Sequence, residues 1–353
     1  MEIPEIVSLT LGTQIPDNSH LDCLVNIKGA FMTDNATYVP ASDRFEAMPY
    51  RTCGRSGLKL PIVSLGGWFN FLDPALVRRL LTRAFDLGVT HFDLANNYGE
   101  FGGHGGLAEE NTGLVLAGDL KAHRDDIVVT SKAGFRMRPG PYGDWGSRKY
   151  LLSSLDASLK RLQVDYVDIF YHHRPDPKTP LEESMGALDA AVRQGKALYA
   201  AISNYNADQT REAVEIMRQL GTPLIANQCN YSLLSRWIED GTLDTCADLG
   251  LGLVGFGALN RGQLTEKHLH DKPGGHPIEP ELEAKLQQLN AIAAARGQTL
   301  SDMALNWVVR DERVTTVVLG VSRVEQLEEN VRTLQHAKPF EDEELLRIQS
   351  ILK

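Results

Sequence analysis

Short apolar runs, many of them rich in Val, Ile and Leu, recur along the chain from about residue 62, and polar or amphipathic stretches separate them. Runs of this kind, bounded by turn residues, are typical of strands that are buried on both faces. The pattern predicts eight such strands, over residues 62–67, 90–95, 126–134, 167–173, 197–203, 224–231, 252–259 and 315–321.

Two of the intervening stretches show the spacing of an amphipathic helix. Residues 147–163 place five leucines on one face, at Leu151, Leu152, Leu155, Leu159 and Leu162. Residues 181–195 do the same with Leu181, Met185, Leu188 and Val192. Gly195 is placed to end the second helix. Strands that alternate with helices in this way indicate a parallel sheet.

Two architectures fit eight alternating units, a closed (β/α)8 barrel and an open, doubly wound sheet. Asp93, Lys132 and His173 end the second, third and fourth predicted strands, where a barrel carries its catalytic groups. Tyr98 lies in the loop after the second strand. A dinucleotide-binding open sheet should carry G-x-G-x-x-G after its first strand, but the near match at residues 103–108 lies in the second loop and ends in Ala. We therefore predict an α/β protein with a single (β/α)8 TIM barrel.

The region before the barrel has a different character. Residues 1–47 mix Pro, Asn, Asp and Ser with short apolar runs and show no sustained periodicity. They are predicted to form an N-terminal extension outside the barrel domain, which would span residues 48–353.

Composition narrows the function classes. The formal net charge of −10 argues against a nucleic-acid partner, and no apolar run reaches the roughly 18–20 residues of a membrane span. The first residues include acids where a signal peptide carries positive charge, so secretion is not expected. The four cysteines, Cys23, Cys53, Cys229 and Cys246, form no CxxC pair, as expected for reduced thiols of a cytoplasmic protein. His268, His270 and His276 lack a supporting carboxylate frame, so no metal site is expected.

The four strand-end residues suit carbonyl reduction, which requires a hydride donor and an acid that protonates the alkoxide. A tyrosine with an ordinary pKa of about 10 is protonated near neutrality, and a nearby cation increases its acidity. Tyr98 is thus the predicted acid, with Lys132 as the cation, Asp93 as the partner of Lys132, and His173 as the residue that orients the carbonyl. His172 should point to the opposite face of its strand. Since none of these side chains donates hydride, a nicotinamide cofactor is implied.

Each residue also has a structural interpretation when taken alone. Asp93 would suit a loop cap, Tyr98 a rim aromatic, and Lys132 an ordinary strand-end charge. His173 would equally suit a structural histidine. A different barrel chemistry, such as hydrolysis by two facing carboxylates, would need a second acid beside Asp93 at the strand ends.

Beyond these residues, the chain from about 48 to 350 resembles the aldo-keto reductase superfamily. FDLANNYG (92–99) is similar to the family's Asp and Tyr motif, SKAG (131–134) carries its lysine and YHHRPD (171–176) its histidine. The resemblance implies a (β/α)8 barrel, NADPH as cofactor and a small aldehyde as substrate.

The resemblance also implies a set of cofactor contacts. Ser203, Asn204 and Gln228 match positions that hold the nicotinamide carboxamide, and Phe256 matches the aromatic that stacks on its ring. Positions that grip the adenosine and its 2′-phosphate are matched by Gly320, Ser322, Arg323, Gln326, Glu329 and Asn330. Further expected contacts are Gly67, Trp68, Gly257, Ala258, Leu259 and Arg261. Arg323 is expected to open the last helix.

Within the superfamily, residues 140–162 are most similar to a bacterial branch, the L-glyceraldehyde 3-phosphate reductases, which is related to the β-subunits of voltage-gated potassium channels. The branch implies a phosphorylated aldehyde, and the predicted substrate contacts are Trp68, Tyr98, Arg148 and Arg174. Alternatively, Arg148 begins the third helix and Arg174 pairs with Asp176. The alternative function is a channel-β-like, NADPH-binding regulatory subunit with little turnover.

The chain differs from this branch in two segments and carries an amino-terminal extension. FGALNRG (256–262) replaces a Pro-containing motif, and residues 266–285 form a shortened stretch. Met32 falls where the start codon is expected, so residues 1–31 are predicted to be dispensable. The sequence allows a homo-oligomer.

Overall fold

Ten strands form in the computed structural model, which describes residues 38–68, 71–99, 105–266 and 278–353. They are β1 (Tyr50–Thr52), β2 (Lys59–Pro61), β3 (Val63–Gly66), β4 (His91–Asp93), β5 (Val128–Ala133), β6 (Val167–His172), β7 (Ala197–Ser203), β8 (Leu224–Asn230), β9 (Gly252–Phe256) and β10 (Val314–Leu319). Strands β3 to β10 close into a parallel barrel in chain order, with β10 beside β3. All eight predicted strands are confirmed, and so is the barrel.

Helices surround this barrel. The described residues form α1 (Pro74–Asp86), α2 (Leu107–Ala117), α3 (Arg148–Leu162), α4 (Leu181–Arg193), α5 (Ala207–Leu220), α6 (Thr242–Leu249), α7 (Pro280–Ala295), α8 (Leu300–Val309), α9 (Val324–Gln335) and α10 (Asp342–Leu352). Within the described ranges, none of these helices has the length and apolarity that a membrane span requires.

The predicted helix boundaries agree closely with the structure, but both predicted apolar faces are only partly right, since Leu181 and Val192 of α4 are half-buried. The side chain of Ser147 accepts a hydrogen bond from the Tyr150 amide and caps α3. Gly195 lies just past the end of α4 and has a φ of +69°. On α3, however, Leu152 and Leu159 are only half-buried, because the face that packs inward also includes two buried serines, Ser154 and Ser158. Their small side chains allow the helix to approach the barrel closely.

The antiparallel hairpin of β1 and β2, which the apolar pattern did not reveal, covers the amino-terminal ends of the barrel strands. Arg51 donates hydrogen bonds to the carbonyl oxygens of Val309, Asp311 and Val314 around the start of β10. Just past β1, the Cys53 thiol contacts the carbonyl of Ile225 near the start of β8. The hairpin thus covers one end of the barrel and leaves the carboxyl ends of the strands for chemistry.

Residues just before Met48 already contact the barrel. The Ala41 amide donates to Asp86 at the end of α1, and the rings of Phe45 and Phe85 meet edge to face with 6.4 Å between centroids. Residues from Val39 to Lys353 form one compact unit. The boundary near residue 48 stays a prediction.

Candidate active site

Asp93 and Lys132 form a buried ion pair at the carboxyl ends of neighbouring strands. The Lys132 Nζ lies 2.7 Å from Asp93 Oδ2 and also donates to the carbonyl oxygen of Leu94 at 2.8 Å. The other carboxylate oxygen, Oδ1, accepts hydrogen bonds from Thr130 Oγ1 and Gln228 Nε2, both at 2.9 Å. Both carboxylate oxygens therefore accept hydrogen bonds, which is what keeps a charge stable in the interior.

Tyr98 stands over this pair. Its hydroxyl oxygen lies 3.5 Å from Lys132 Nζ, and its ring centroid lies 5.1 Å from the same atom. The backbone holds it in place, because the Tyr98 carbonyl accepts hydrogen bonds from the amides of Gly106 and Ala108 at the start of α2. The structure thus brings three of the four predicted catalytic residues into one contact chain, Asp93 to Lys132 to Tyr98.

Charge within the pair is set by opposing effects. Burial raises the pKa of Asp93, but the charge of Lys132 and the hydrogen bonds it receives outweigh burial and hold that pKa below its usual value. Burial lowers the pKa of Lys132, and the charge of Asp93 limits that fall. Each charge therefore depends on the other.

Burial, reinforced by the negative charge of Asp93, raises the pKa of Tyr98 well above its ordinary value. This shift corrects the expectation that Lys132 makes Tyr98 more acidic. Its physical reason is that burial of the hydroxyl, the largest effect, disfavours the phenolate, and the negative charge of Asp93 acts in the same direction. Tyr98 is consequently a firmly protonated phenol that holds a proton for donation.

His173 follows β6 and faces the mouth of the barrel. Its ring meets Tyr98 with 6.0 Å between centroids and Phe135 with 4.7 Å. Burial, with the nearby charge of Lys132, lowers the pKa of His173 well below 6.5, so its imidazole is neutral near pH 7. His172 points to the opposite face as predicted, where its Nδ1 lies 2.6 Å from the Tyr205 hydroxyl.

The residues predicted to hold a nicotinamide lie on the next strands round the barrel. The Ser203 hydroxyl donates to the Gln228 carbonyl, and the Asn204 side-chain amide donates to the Ser203 hydroxyl and the His173 carbonyl. Gln228 directs its Nε2 at Asp93, which leaves its Oε1 to accept from a carboxamide. These contacts join the strands that carry the predicted cofactor residues, β7 to β10, to the strands that carry the predicted catalytic residues, β4 to β6.

The remaining predicted cofactor residues lie at the ends of β3, β9 and β10, just before α9 and along α9. Asn330, on α9, has a buried Nδ2 without a hydrogen-bond partner in the described part of the chain, so a donor is available there for a ligand oxygen. Arg323 is exposed and precedes α9, which is the next-to-last helix and not the last as expected, because α10 follows it. The Ser322 amide donates to the Gln326 side chain. The other positions are Gly67, Trp68, Phe256, Gly257, Ala258, Leu259, Arg261, Gly320 and Glu329.

The backbone near β9 is strained in a way that suits ligand contact. Asn260 and Arg261 both have positive φ, at +45° and +56°, between Gly257 at +73° and Gly262 at +87°. Non-glycine residues rarely adopt this conformation, and such outliers cluster at ligand-binding sites. This loop is the FGALNRG departure, and its shape together with the unpartnered Asn330 amide fits a bound dinucleotide.

The two arginines predicted to contact substrate are engaged in protein contacts. Arg148 is the first residue of α3, as the alternative interpretation had it, and its Nη1 donates to the Gly186 carbonyl at 2.7 Å. Arg174 pairs with Asp144 at 2.8 Å, and not with Asp176. Asp176 instead accepts from the Gly146 amide and from neighbouring residues of its own loop. Trp68, after β3, is 39% exposed at the mouth.

Three further residues of the site, Thr130, Phe135 and Glu109, are not among those predicted from the sequence. Thr130 lies two residues before Lys132 on β5, so its side chain points to the same face of the strand. The alternation of side chains along the strand would therefore have predicted Thr130 beside Asp93. Phe135 lies between His173 and the Arg174 guanidinium, whose carbon sits 4.2 Å from the Phe135 ring centroid. Glu109 is fully buried beside Ser131, and no local pattern signals it.

Metal ligands were not expected. Over residues 38–68, 71–99, 105–266 and 278–353, no group of three or more His, Cys, Asp or Glu side chains is arranged to hold a metal ion. His268, His270 and His276 lie outside the described residues.

Comparison with known proteins gives a consistent result. The chain is 47% identical over 325 residues to an L-glyceraldehyde 3-phosphate reductase of Escherichia coli (strain K12), covering 87% of this chain and 93% of that protein. It is 32% identical to a probable voltage-gated potassium channel subunit beta of Oryza sativa subsp. japonica, over 87% of this chain and 97% of that one. A solved aldo-keto reductase from Bacillus halodurans, in its holo form, superposes with a TM-score of 0.73 at 26% identity, covering 87% and 97% of the two chains. The model of the aldo/keto reductase family matches residues 62–353. The chain therefore belongs to the aldo/keto reductase family of oxidoreductases.

Proposed function

We propose that this protein reduces small aldehydes to alcohols with NADPH, and that Tyr98 is the general acid. The observation that carries the proposal is the contact chain from Asp93 through Lys132 to Tyr98 beside a neutral imidazole of His173. A phenol that is strongly protonated in the resting site is suited to donate its proton only when a stronger base, the alkoxide, forms next to it.

Each residue has a distinct task in this reaction. The neutral His173 donates a hydrogen bond to the carbonyl oxygen and orients it between the imidazole and the Tyr98 hydroxyl. As negative charge grows on that oxygen, Tyr98 transfers its proton, and Lys132, 3.5 Å away, stabilises the phenolate that remains. Asp93 keeps Lys132 protonated throughout, because the buried ammonium has no other anionic partner within hydrogen-bonding distance among the described residues.

NADPH supplies the hydride when it is bound. Ser203, Asn204 and Gln228 are the residues proposed to hold its carboxamide, and Phe256 to stack on its ring. Arg323, with the amino terminus of α9, is proposed to bind the 2′-phosphate, since helix amino termini favour anions.

Replacing Tyr98 by Phe tests the central assignment. Removal of the proton donor should lower kcat for aldehyde reduction by about two orders of magnitude. Binding of NADPH, followed by quenching of protein fluorescence, should be nearly unchanged. Tyr171→Phe is the matched control, because the Tyr171 hydroxyl is buried in the barrel without a hydrogen-bond partner in the described ranges.

Retention of wild-type kcat by Tyr98→Phe would refute the assignment. The same assay separates the two candidate functions. A wild-type protein that binds NADPH tightly yet gives no decay of absorbance at 340 nm with any aldehyde would support the regulatory-subunit alternative.

Cytoplasmic location and a homo-oligomeric state remain predictions from the sequence.

We further propose L-glyceraldehyde 3-phosphate as the best single substrate, because the relatives at 47% identity carry that name. Arg174 is the better placed of the two predicted phosphate ligands. It follows His173 directly, and its Nε and Nη2 are bonded to Gly134 and Asp144, which leaves Nη1 for a phosphate oxygen. Arg148 uses its Nη1 to bond the Gly186 carbonyl, which leaves Nη2 for a phosphate oxygen, but its side chain lies against α4.

Loss of a charge-assisted contact should cost about 1.5–3 kcal/mol, or about 10- to 150-fold in kcat/KM. Arg174→Ala is expected to lower kcat/KM by that factor for the phosphorylated aldehyde and much less for methylglyoxal, and Arg148→Ala is predicted to act in the same direction. Comparing two substrates in one variant cancels any structural effect of the substitution. Equal losses for both substrates would rule out phosphate recognition by these arginines.

A further inference from the structure

Glu109 is a fully buried carboxylate outside the four catalytic residues. It lies in the first turn of α2, and its Oε1 accepts a hydrogen bond from Ser131 Oγ at 2.5 Å. Its Oε2 forms an ion pair with Arg161 of α3, with Nε at 2.8 Å and Nη2 at 2.7 Å. Fully buried acids are rare and require such partners. The cluster of Glu109, Ser131 and Arg161 is therefore a candidate for a functional role.

On one side, the cluster fixes the strand that carries Lys132. Ser131 stands between Thr130 and Lys132 on β5, and both of these neighbours bond to Asp93 inside the barrel. Successive side chains of a strand point to opposite faces, so Ser131 faces outward to Glu109 while its neighbours face inward. A hydrogen bond to Ser131 therefore fixes the strand segment that places Lys132.

On the other side, the cluster fixes the loop that carries Tyr98. The Tyr98 carbonyl accepts hydrogen bonds from the amides of Gly106 at 3.1 Å and Ala108 at 3.4 Å, and Glu109 is the next residue of α2. Arg161 lies against Gly106 so closely that a Cβ at residue 106 would be 2.6 Å from Arg161 Nε. The ion pair of Glu109 and Arg161 thus sets where α2 begins.

We propose that Glu109 is a positioning residue which, by joining α2 to β5, sets the 3.5 Å separation between Tyr98 Oη and Lys132 Nζ. The inference rests on the proposed reduction, in which these two atoms act together. The pair must be correctly spaced before the reaction begins, because misplacement by about 1 Å can cost about 100-fold in rate.

Electrostatics adds a second effect. The groups that face Lys132 are Asp93 and His91 of β4, Tyr98 of the following loop, Glu109 of α2, and Tyr171 and His173 at β6. Burial lowers the pKa of Lys132, and the negative charges of Asp93 and Glu109 oppose that fall. Removing the charge of Glu109 should therefore let Lys132 lose its proton at a lower pH.

The test is Glu109→Gln, which keeps the shape and removes the charge. We expect kcat to fall about 10- to 100-fold, while KM for the aldehyde and Kd for NADPH stay close to their wild-type values. The alkaline limb of the kcat profile should move to lower pH. Hydrogen exchange of the Gly106 and Ala108 amides should become faster, and this readout does not depend on activity or on bound cofactor.

Asp168→Asn is the matched control. Asp168 is also a buried acid that pairs with an arginine, Arg124, at 2.8 Å, and it accepts from the Val129 amide of the same strand β5. It acts at the opposite end of that strand from Lys132, so its loss should lower the melting temperature without changing kcat. If Glu109→Gln does not fold, Arg161→Lys and Ser131→Ala test the same links one at a time, and each should lower kcat with KM unchanged.

Equal kcat values for Glu109→Gln and Asp168→Asn would overturn the inference, and so would unchanged exchange at residues 106 and 108. Wild-type protein that reduces no aldehyde with NADPH would instead refute the proposed function. The exchange measurement would still decide whether Glu109 fixes the Tyr98 loop.

Discussion

The ion pair of Asp93 and Lys132 makes a prediction that can be worked through quantitatively, the effect of Asp93→Asn on folding stability. The pair is joined at 2.7 Å, and the side chains are 2% and 0% exposed. An asparagine has nearly the same shape but presents one acceptor atom where the carboxylate presented two. Since Thr130, Gln228 and Lys132 all donate to this carboxylate, at least one donor would lose its acceptor.

The magnitude follows from burial. An exposed ion pair contributes about 0–1 kcal/mol, but removing one partner of a buried pair typically costs about 3–5 kcal/mol because an uncompensated charge remains. Here the remaining charge is the Lys132 ammonium, with only the Leu94 carbonyl and the Tyr98 hydroxyl as neighbouring acceptors among the described residues. We therefore expect Asp93→Asn to lower the free energy of unfolding by about 3–5 kcal/mol at pH 7.

The loss should depend on pH in a definite direction. Burial already lowers the pKa of Lys132, and removing Asp93 lowers it further. A lysine with a depressed pKa in the folded state penalises folding when it must be protonated. The penalty is complete below the folded-state pKa and disappears as pH rises towards the unfolded value of about 10.4. The deficit of Asp93→Asn relative to wild type should accordingly shrink between pH 7 and pH 10.

Urea unfolding of both proteins at a series of pH values measures this deficit. The control is a double-mutant cycle with Lys132→Met, because removing both charges together is often nearly neutral for stability. The double variant should be more stable than Asp93→Asn alone. A deficit below about 1 kcal/mol, the value for an exposed pair, or one that does not change with pH, would show that the ammonium is not the source of the instability.

Two further predictions concern the cofactor and the amino terminus. Arg323→Ala should lower kcat/KM with NADPH and leave kcat/KM with NADH unchanged, because only NADPH carries the 2′-phosphate; an unchanged cofactor preference would refute the assignment. A protein that starts at Met32 should keep the melting temperature and kcat of the full chain, since residues 1–31 supply no predicted strand and no proposed active-site residue; a fall of several degrees would show that the segment stabilises the fold.

Sequence periodicity was sufficient for the part of the site that depends on strand ends. A buried parallel strand appears as an apolar run, so its last polar residue marks the mouth of the barrel. Asp93 and Lys132 were found in this way, and the alternation of faces separated His173 from His172.

Partners that are distant in sequence were not predictable. Gln228 reaches Asp93 across 135 residues, and Arg174 pairs with Asp144 across 30. Sequence proximity favours a pairing of Arg174 with Asp176, but Asp176 accepts from the Gly146 amide of the loop after β5 and from the Lys178 amide of its own loop. Which donor reaches which acceptor is decided by how the loops fold over the barrel, and local spacing does not encode that choice.

Backbone strain shows where local sequence rules stop being sufficient. Five non-glycine residues in the described ranges have positive φ, and four of them, Trp145, Asn204, Asn260 and Arg261, lie in loops that follow barrel strands at the mouth. Asparagine tolerates this conformation, so Asn204 and Asn260 were foreseeable candidates. Trp145 was not, because a bulky residue adopts it only when its surroundings compensate. Those surroundings include Arg174, whose guanidinium carbon lies 3.8 Å from the Trp145 ring centroid while the same side chain also bonds Asp144 and stacks on Phe135. The strained tryptophan and the arginine thus stabilise each other beside His173.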